Sequence, residues 1–174
     1  SQLHHRHCRR LPRPQLTEVT RRAVRWPEDQ ALLRRIYGST RAEELAGAPW
    51  TEAQKSAFLD QQFAAQHSHY TTYFPEAQLM VLERGGAAVG RLYVDVRSDE
   101  VRVIDIALLP EHRGQGLGRG LMAEVIAQAE AIGLPVRIHV ERSNPAWRLY
   151  TRLGFVEIGE TGLYALLERP AALR

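Results

Sequence analysis

Residues 104–122, IDIALLPEHRGQGLGRGLM, decide the fold of this chain. The segment begins with an apolar run at 104–109, which predicts a strand that ends at Pro110. From Leu117 onward the apolar residues recur at helical spacing, so a helix is predicted to begin there. Glycines fill the turn between the two elements, and a helix start presents unpaired backbone N–H groups at the positive end of its dipole. The junction is therefore predicted to bind a phosphate group.

Length and composition predict one globular domain in the cytoplasm. The chain has 174 residues, of which 44% are hydrophobic and 25% charged, and a net charge of +3. No apolar run approaches the roughly 18 residues of a membrane helix, and no secretory segment opens the chain, so no membrane partner is expected. The single cysteine, Cys8, agrees with a reducing compartment.

The first 14 residues are predicted to form a disordered basic tail, and residues 15–174 a single folded domain. The tail combines four arginines with three histidines, Cys8 and two prolines, and it shows no apolar periodicity. Its histidines and Cys8 fit no standard zinc spacing, so no metal site is predicted. A nucleic-acid partner would depend on this tail alone, and the sequence argues against one.

Periodicity and turn signals predict a mixed α/β fold. The sheet is expected to be central and mostly antiparallel, with about six or seven strands and about four helices around it. The unit at 104–140 predicts one parallel strand crossover. The predicted strands lie at 19–26, 78–83, 88–96, 101–109, 136–140, 155–158 and 163–167. The predicted helices lie at 28–37 with Gly38 as the cap, at 51–68 with a capping box of Thr51 and Gln54, at 117–132, and after Asn144, and an aromatic loop lies at 67–75.

Two common nucleotide motifs do not fit the glycine turn. A dinucleotide-binding fold has G-x-G-x-x-G in a parallel sheet, whereas here G-x-G-x-G-x-G follows an antiparallel hairpin. The P-loop pattern fails because no Gly-Lys-Ser/Thr follows the turn. A glycine-rich turn without any ligand is the alternative that the turn alone leaves open.

Two motifs resemble those of one enzyme superfamily. Residues 113–118, RGQGLG, resemble the R/Q-x-x-G-x-G/A signature of the GNAT superfamily of acyl-CoA-dependent N-acetyltransferases. Residues 146–155, AWRLYTRLGF, resemble its A-x-x-L-Y-x-x-x-G-F segment. Two motifs in the correct order, about 30 residues apart, are far more specific than either alone. The resemblance implies a GNAT-like fold and an acyltransferase that uses acetyl-CoA.

The resemblance also implies how the donor binds. Backbone N–H groups of the turn would hold the CoA pyrophosphate, and the preceding strand would lend backbone groups to the pantetheine arm and polarise the thioester carbonyl. The implied turn residues are Arg113, Gly114, Gln115, Gly116, Leu117 and Gly118, and the implied strand residues are Ile106, Ala107 and Leu108. Many relatives have an asparagine where this chain has Ser143. Asn144, one residue later, is expected either to contact CoA or to cap the following helix.

The expected chemistry is direct attack of a neutral amine on acetyl-CoA. Tyr150 matches the tyrosine that protonates the departing thiolate, although it also lies on an apolar helix stripe and can serve packing alone. Asp105 is the leading candidate for the general base because a charge that interrupts an apolar strand is costly unless it is used or paired. Pairing with an arginine is the alternative role of Asp105. Weaker candidates for the base are Glu83, Glu141 and His139.

The acceptor is expected to be a primary amine of a small molecule, an amino acid or a protein. Its specificity should lie in residues 38–76, where Trp50, Tyr70 and Tyr73 are the pocket candidates. No acidic cluster suited to a polyamine stands out there. A CoA-binding regulatory module without turnover is the alternative function, and exposed edge strands of this superfamily suggest a homodimer.

Overall fold

The computed structural model describes residues 18–172, so the predicted tail at 1–14 lies outside the described residues. One seven-stranded sheet has the order β1-β2-β3-β4-β5-β7-β6. All neighbours in it are antiparallel except β4 and β5. The strands are β1 Val19–Ala23, β2 Gln78–Arg84, β3 Ala87–Val96, β4 Val101–Leu108, β5 Val136–Glu141, β6 Val156–Thr161 and β7 Tyr164–Arg169. The predicted mixed, mostly antiparallel architecture is confirmed.

The described part of the chain has four α-helices, which cover the two faces of the sheet. They are α1 Gln30–Ala46, α2 Glu52–Tyr73, α3 Leu117–Ala131 and α4 Trp147–Arg152, and a 3-10 turn spans Pro110–His112. One core lies under α3 and α4 and includes Leu92, Met122 and Tyr150. A second core lies under α1 and α2 and includes Ile36 and Phe63. The sheet therefore separates two apolar layers, and β3 and β4 contribute side chains to both.

Helix α1 does not end at Gly38, so the predicted cap is wrong. The helix continues to Ala46 because Tyr37 and Leu45 are buried and hold its second half against the protein. A Cβ built at Gly38 would stand 3.5 Å from Cδ1 of Leu59, an ordinary contact with α2. The glycine costs the helix about 1 kcal/mol relative to alanine. The packing of Tyr37 and Leu45 offsets that cost. Such packing leaves only a weak signal in the sequence.

Helix α2 absorbs most of the aromatic segment at 67–75, so the predicted loop is also wrong. The capping box of Thr51 and Gln54 begins the helix as predicted. Neither proline nor glycine occurs from there until Pro75, and the ring of Tyr70 packs edge-on against Tyr93 of the sheet at 5.7 Å between centroids. Aromatic residues that the sequence pattern assigned to a loop are thus held in a helix by the sheet below them. At the other end, β1 stops at Ala23 rather than at residue 26.

Candidate functional site

Strand β4 separates from β5 halfway along its length. The two strands pair only at Val101–Val136, Arg102–Arg137 and Val103–Ile138. At the next residue the register between β3 and β4 shifts, because Val94 faces Val103 and Tyr93 faces Asp105. Ile104 is the extra residue of this bulge, and a bulge bends the strand that carries it. The rest of β4 therefore stays on β3 and leaves β5, which opens a gap in the middle of the sheet.

The gap exposes the strand segment that the resemblance assigns to the donor. Ile106, Ala107 and Leu108 pair with Leu92, Arg91 and Gly90 of β3, and no pairing with β5 extends to them. Backbone polar groups require partners, so a strand edge without a neighbour is suited to bind an extended ligand chain. The binding of a pantetheine arm at these residues stays a prediction.

Gly90 sets the position of this segment, and sequence analysis missed it. A Cβ built at Gly90 would lie 2.2 Å from the carbonyl oxygen of Ala107 and 3.0 Å from Cα of Leu108. No side chain fits there without moving β4. A glycine inside a strand is a signal of close backbone approach, and this signal could have identified the residue.

The glycine turn begins where β4 ends and leads directly into α3. Gly114 and Gly116 have φ of +72° and +79°, a backbone conformation that other residues rarely adopt. Gly116 is the N-cap of α3 and no side chain caps this helix start. A Cβ at either glycine would have no atom within 4 Å, so the space in front of the turn is open. The first N–H groups of α3 therefore face an open site that suits an anion.

Side chains of the turn fix its shape rather than fill it. The Arg113 guanidinium donates to the carbonyl oxygen of Leu108 at 2.9 Å and to Oγ of Ser39 at 3.3 Å. The side-chain amide oxygen of Gln115 accepts from Arg84 at 2.7 Å. These side chains thus tie the turn to β4, to α1 and to β2.

Tyr150 serves packing and keeps a proton. Only 4% of the residue is exposed, and its ring packs against Phe155 at 5.6 Å between centroids. Burial raises the pKa of Tyr150 to about 12, and the negative charge of Asp105 contributes. The hydroxyl is therefore protonated at neutral pH, as a general acid must be. The packing role and the acid role are compatible, and the acid role stays a prediction.

Asp105 pairs with a buried arginine on the α1 and α2 side of the sheet. Arg91 is 2% exposed, and its Nε donates to the carboxylate of Asp105 while its Nη2 donates to Oε1 of Gln66 at 2.8 Å. The Arg91 guanidinium also lies 4.9 Å from the centroid of the Tyr93 ring. The structure thus shows the alternative role of Asp105, an ion pair with an arginine. The role of Asp105 as base stays a prediction. If it holds, Asp105 accepts the proton while it is paired with Arg91.

The weaker candidates for the base lie apart from one another. Glu83 is on β2 and pairs with Arg22 at 3.4 Å. His139 is exposed on β5, where its Nδ1 lies 2.8 Å from Arg102. Glu141 ends β5 at the gap, with Arg41 of α1 at 3.8 Å. His139 and Glu141 both follow the last β4–β5 pair, Val103–Ile138, and of these two Glu141 contacts Arg41 of α1.

Asn144 and the aromatic pocket candidates have structural partners of their own. Oδ1 of Asn144 accepts from the backbone N–H of Ala146 at 2.9 Å and closes the turn before α4, but the N-cap of α4 is Ala146, so the predicted cap at Asn144 is wrong. Its contact with CoA stays a prediction. Trp50 packs on Phe58, Tyr73 is 64% exposed beside His69, and Tyr70 reaches Tyr93 above the Asp105 pair. Of the three pocket candidates, the structure brings Tyr70 to the site.

Residues 18–172 contain neither a metal cluster nor a membrane-spanning helix. No group of three or more His, Cys, Asp and Glu side chains there could hold a metal ion. No helix among the described elements is both long enough and apolar enough to cross a membrane.

A helix start behind a glycine turn, beside a strand that leaves its parallel neighbour, agrees with the acyl-CoA-dependent acyltransferase that the two motifs suggested. The chain belongs to the Acetyltransferase (GNAT) family, whose model matches residues 33–155. GNAT acetyltransferases take acetyl-CoA as the acyl donor. The resemblance, the enzyme class and the donor predicted from the sequence are thereby confirmed.

Curated relatives match part of the chain. It is 28% identical over 110 residues to a Bacillus subtilis protein with a provisional assignment as a [ribosomal protein bS18]-alanine N-acetyltransferase, covering 62% of this chain and 64% of that protein. It is 36% identical over 61 residues to the [ribosomal protein bS18]-alanine N-acetyltransferase of Haemophilus influenzae, covering 34% of this chain and 42% of that protein. The chain thus spans less than two thirds of the length of these relatives.

Solved structures share the fold over almost the whole chain. The PaiA N-acetyltransferase of Thermoplasma acidophilum, crystallised with coenzyme A, superposes with a TM-score of 0.66 at 15% identity, covering 88% of this chain and 99% of that one. The ribosomal-protein-S18-alanine N-acetyltransferase of Escherichia coli gives 0.60 at 21% identity, covering 90% and 96%. At these identities the likeness concerns the fold alone.

Proposed function

We propose that this protein transfers the acetyl group of acetyl-CoA to a primary amine by direct attack, and that the first acceptor to test is the α-amino group of a protein N-terminus. The gap between β4 and β5, next to the open start of α3, carries the proposal. Both curated relatives that match the chain are named for the acetylation of an alanine in a ribosomal protein, which favours a protein amine.

The chain's own backbone supplies the donor site. N–H groups at the start of α3 bind the pyrophosphate, with Gly114 and Gly116 leaving room for it. The unpaired side of β4 binds the pantetheine arm, and an N–H in the segment 106–108 donates to the thioester carbonyl. A donor aimed at that oxygen stabilises the negative charge that develops on it in the tetrahedral intermediate.

Two side chains, Asp105 and Tyr150, transfer the protons. The acceptor first loses one ammonium proton to solvent; its neutral nitrogen then forms a bond to the carbonyl carbon, and the carbon–sulfur bond breaks. The second proton of the amine passes to Asp105, directly or through a water molecule, and Arg91 orients this carboxylate. Tyr150, whose hydroxyl is protonated at neutral pH, gives its proton to the departing thiolate and regains one from solvent after the products leave, while Asp105 returns its proton to solvent.

A thiol-release assay tests the function. The purified protein is mixed with acetyl-CoA and a peptide that begins with alanine, and free CoA and the mass of the peptide are followed. We expect thiol release that depends on the peptide, together with a gain of one acetyl group at its N-terminus. A peptide with a blocked N-terminus is the control. Thiol release without acetylated peptide, or acetylation of the blocked peptide, would contradict the proposed acceptor.

A donor-binding module without turnover is the second candidate. The observation in its favour is the engagement of Asp105 by the buried Arg91, which limits the freedom of the carboxylate to take a proton. Calorimetric titration with acetyl-CoA separates the two functions. Saturable binding with no thiol release across a panel of primary amines would favour the module.

The cytoplasmic location and the homodimer stay predictions. Strand β6 forms one edge of the sheet and exposes Val156 and Ile158. Sedimentation velocity at several protein concentrations tests whether two copies associate. A monomer at all concentrations would contradict the homodimer.

A further inference from the structure

One ion pair spans the gap in the sheet on the α1 side. Arg41 belongs to α1, which packs against β3 and β4, and Glu141 is the last residue of β5. The guanidinium nitrogen Nη1 of Arg41 lies 3.8 Å from Oε1 of Glu141. The pair therefore joins the helix on this face to the end of the strand that β4 leaves.

The guanidinium of Arg41 occupies a site whose surrounding groups suit a cation. Nη1 of Arg41 also lies 3.1 Å from Oε2 of Glu44, and Nε lies 3.4 Å from the hydroxyl of Tyr37. The Tyr37 ring centroid is 5.8 Å from the guanidinium carbon, within cation–π range. Two carboxylates face one guanidinium, so the cluster keeps one net negative charge. That charge suits an incoming ammonium group.

The contact between Arg41 and Glu141 is weak enough to exchange. A charge-assisted N–H to carboxylate hydrogen bond is about 2.7–2.9 Å long, whereas this distance is 3.8 Å. The two side chains are 30% and 38% exposed, and pairs of this kind contribute only about 0.2–1 kcal/mol. Arg41 keeps its contacts with Glu44 and Tyr37 when it releases Glu141.

Tyr164 lies next to Glu141 in the sheet. It pairs with Glu141 across β5 and β7 and is partly exposed. Burial raises the pKa of Tyr164, and the negative charge of Glu141 adds to the effect. The phenol is therefore protonated and offers an oxygen beside the carboxylate.

We propose that Glu141 and Tyr164 form the subsite that receives the ammonium group of the acceptor, and that Arg41 fills this subsite in the free protein and is displaced when the acceptor binds. The inference rests on the proposed amine acetylation. Arg41 is a specificity-determining residue in this scheme. The net negative charge favours an amine next to a neutral carbonyl, as at a peptide N-terminus, over the zwitterion of a free amino acid.

The test is the binding of alaninamide to the CoA-saturated protein, measured by calorimetry. We expect Arg41→Gln to bind alaninamide about two- to fivefold more tightly than the wild type, because the internal competitor is gone. Glu141→Gln should bind it at least about tenfold more weakly, since a hydrogen bond to a charged group is lost. The double variant should match Glu141→Gln, because Arg41 acts through Glu141.

Arg34→Gln is the matched control. Arg34 lies on the same helix, is 33% exposed and pairs with Asp60 of α2, so its loss should leave alaninamide binding unchanged. Unchanged or weaker binding by Arg41→Gln would overturn the proposal, as would tighter binding that persists in the double variant. The absence of binding by both the wild type and Arg41→Gln would overturn it too.

Turnover is measured separately with the same variants. The expected binding pattern without acetyl transfer to any amine would contradict the proposed function but support the cation subsite. Acetyl transfer to alaninamide without the binding pattern would sink the subsite alone.

Discussion

The two sides of the gap in the sheet are built in different ways. The proposed donor side consists of residues 106–118, one continuous stretch in which β4 runs through a turn into α3. The proposed acceptor side combines six residues from five elements: Arg41 of α1, Gln66 and Tyr70 of α2, Arg91 of β3, and Glu141 and Tyr164 of β5 and β7. The donor side depends on backbone N–H groups and glycine conformations. The acceptor side depends on side chains that meet only in the folded chain, so the two sides should respond differently to substitution.

The largest effect is expected at the donor side. Gly116→Glu forces a side chain into the left-handed region, which costs about 1–2 kcal/mol, and places a negative charge where pyrophosphate binds. We expect acetyl-CoA binding to disappear in calorimetry. Gly86→Glu is the matched control, because Gly86 has φ of +80° and equally open surroundings in the β2–β3 hairpin. Normal acetyl-CoA binding by folded Gly116→Glu protein would contradict the anion site.

Tyr150→Phe separates donor binding from chemistry. The substitution keeps the buried ring and removes the hydroxyl, so acetyl-CoA affinity should be nearly unchanged while kcat falls about 100-fold. Steady-state kinetics with a peptide acceptor, together with calorimetry, measures both. The exposed Tyr73→Phe is the control and should behave as the wild type. A kcat that survives the loss of the Tyr150 hydroxyl would leave this residue with a packing role only.

Gly90→Ala tests whether β3 positions the donor strand. The new methyl group meets the carbonyl oxygen of Ala107, so β4 has to shift. We expect about tenfold weaker acetyl-CoA binding, besides a loss of stability of about 1–3 kcal/mol. Gly38→Ala is the control and should raise the free energy of unfolding. Its methyl group makes an ordinary contact and improves helix propensity by up to about 1 kcal/mol. Acetyl-CoA affinity at the wild-type level in Gly90→Ala would mean that the strand tolerates the shift.

The smallest effect on function is expected at Asp29, which ties the start of α1 to β1. Hydrogen bonds from Arg22, and then from the backbone N–H of Arg25, outweigh burial and lower the pKa of Asp29 to about 2. A lowered pKa stabilises the fold above the ordinary value near pH 4, and this stability is lost as the pH falls through about 2. Asp29→Asn should therefore cost about 2 kcal/mol at neutral pH.

Denaturant unfolding at several pH values checks this expectation. The difference between Asp29→Asn and the wild type should shrink toward pH 2, and acetyl-CoA affinity should stay the same because the turn before α3 is not involved. A difference that is constant with pH would contradict the ion pair as its cause. A change in donor affinity would show that the start of α1 is coupled to the donor side.

Sequence by itself determined the class of the protein and the glycine turn before α3. Gly114 and Gly116 were predicted to form the anion turn, and the structure gives both the left-handed backbone that glycine permits. The order of the elements along the chain, the parallel crossover and the helix after the turn also followed from local patterns. These features depend on residues close together in the chain, so hydrophobic periods and turn residues report them directly.

Only the tertiary structure decided the acceptor side and the geometry of the gap. The bulge at Ile104, the ion pair of Asp105 with Arg91 and the contact of Arg41 with Glu141 join residues that are distant in sequence. The helix through Gly38 and the long α2 followed from packing rather than from propensity, which tertiary context routinely overrides. Long-range side-chain contacts leave no periodic signal, and for that reason the sequence named Asp105 and Glu141 as candidates but not the arginines that hold them.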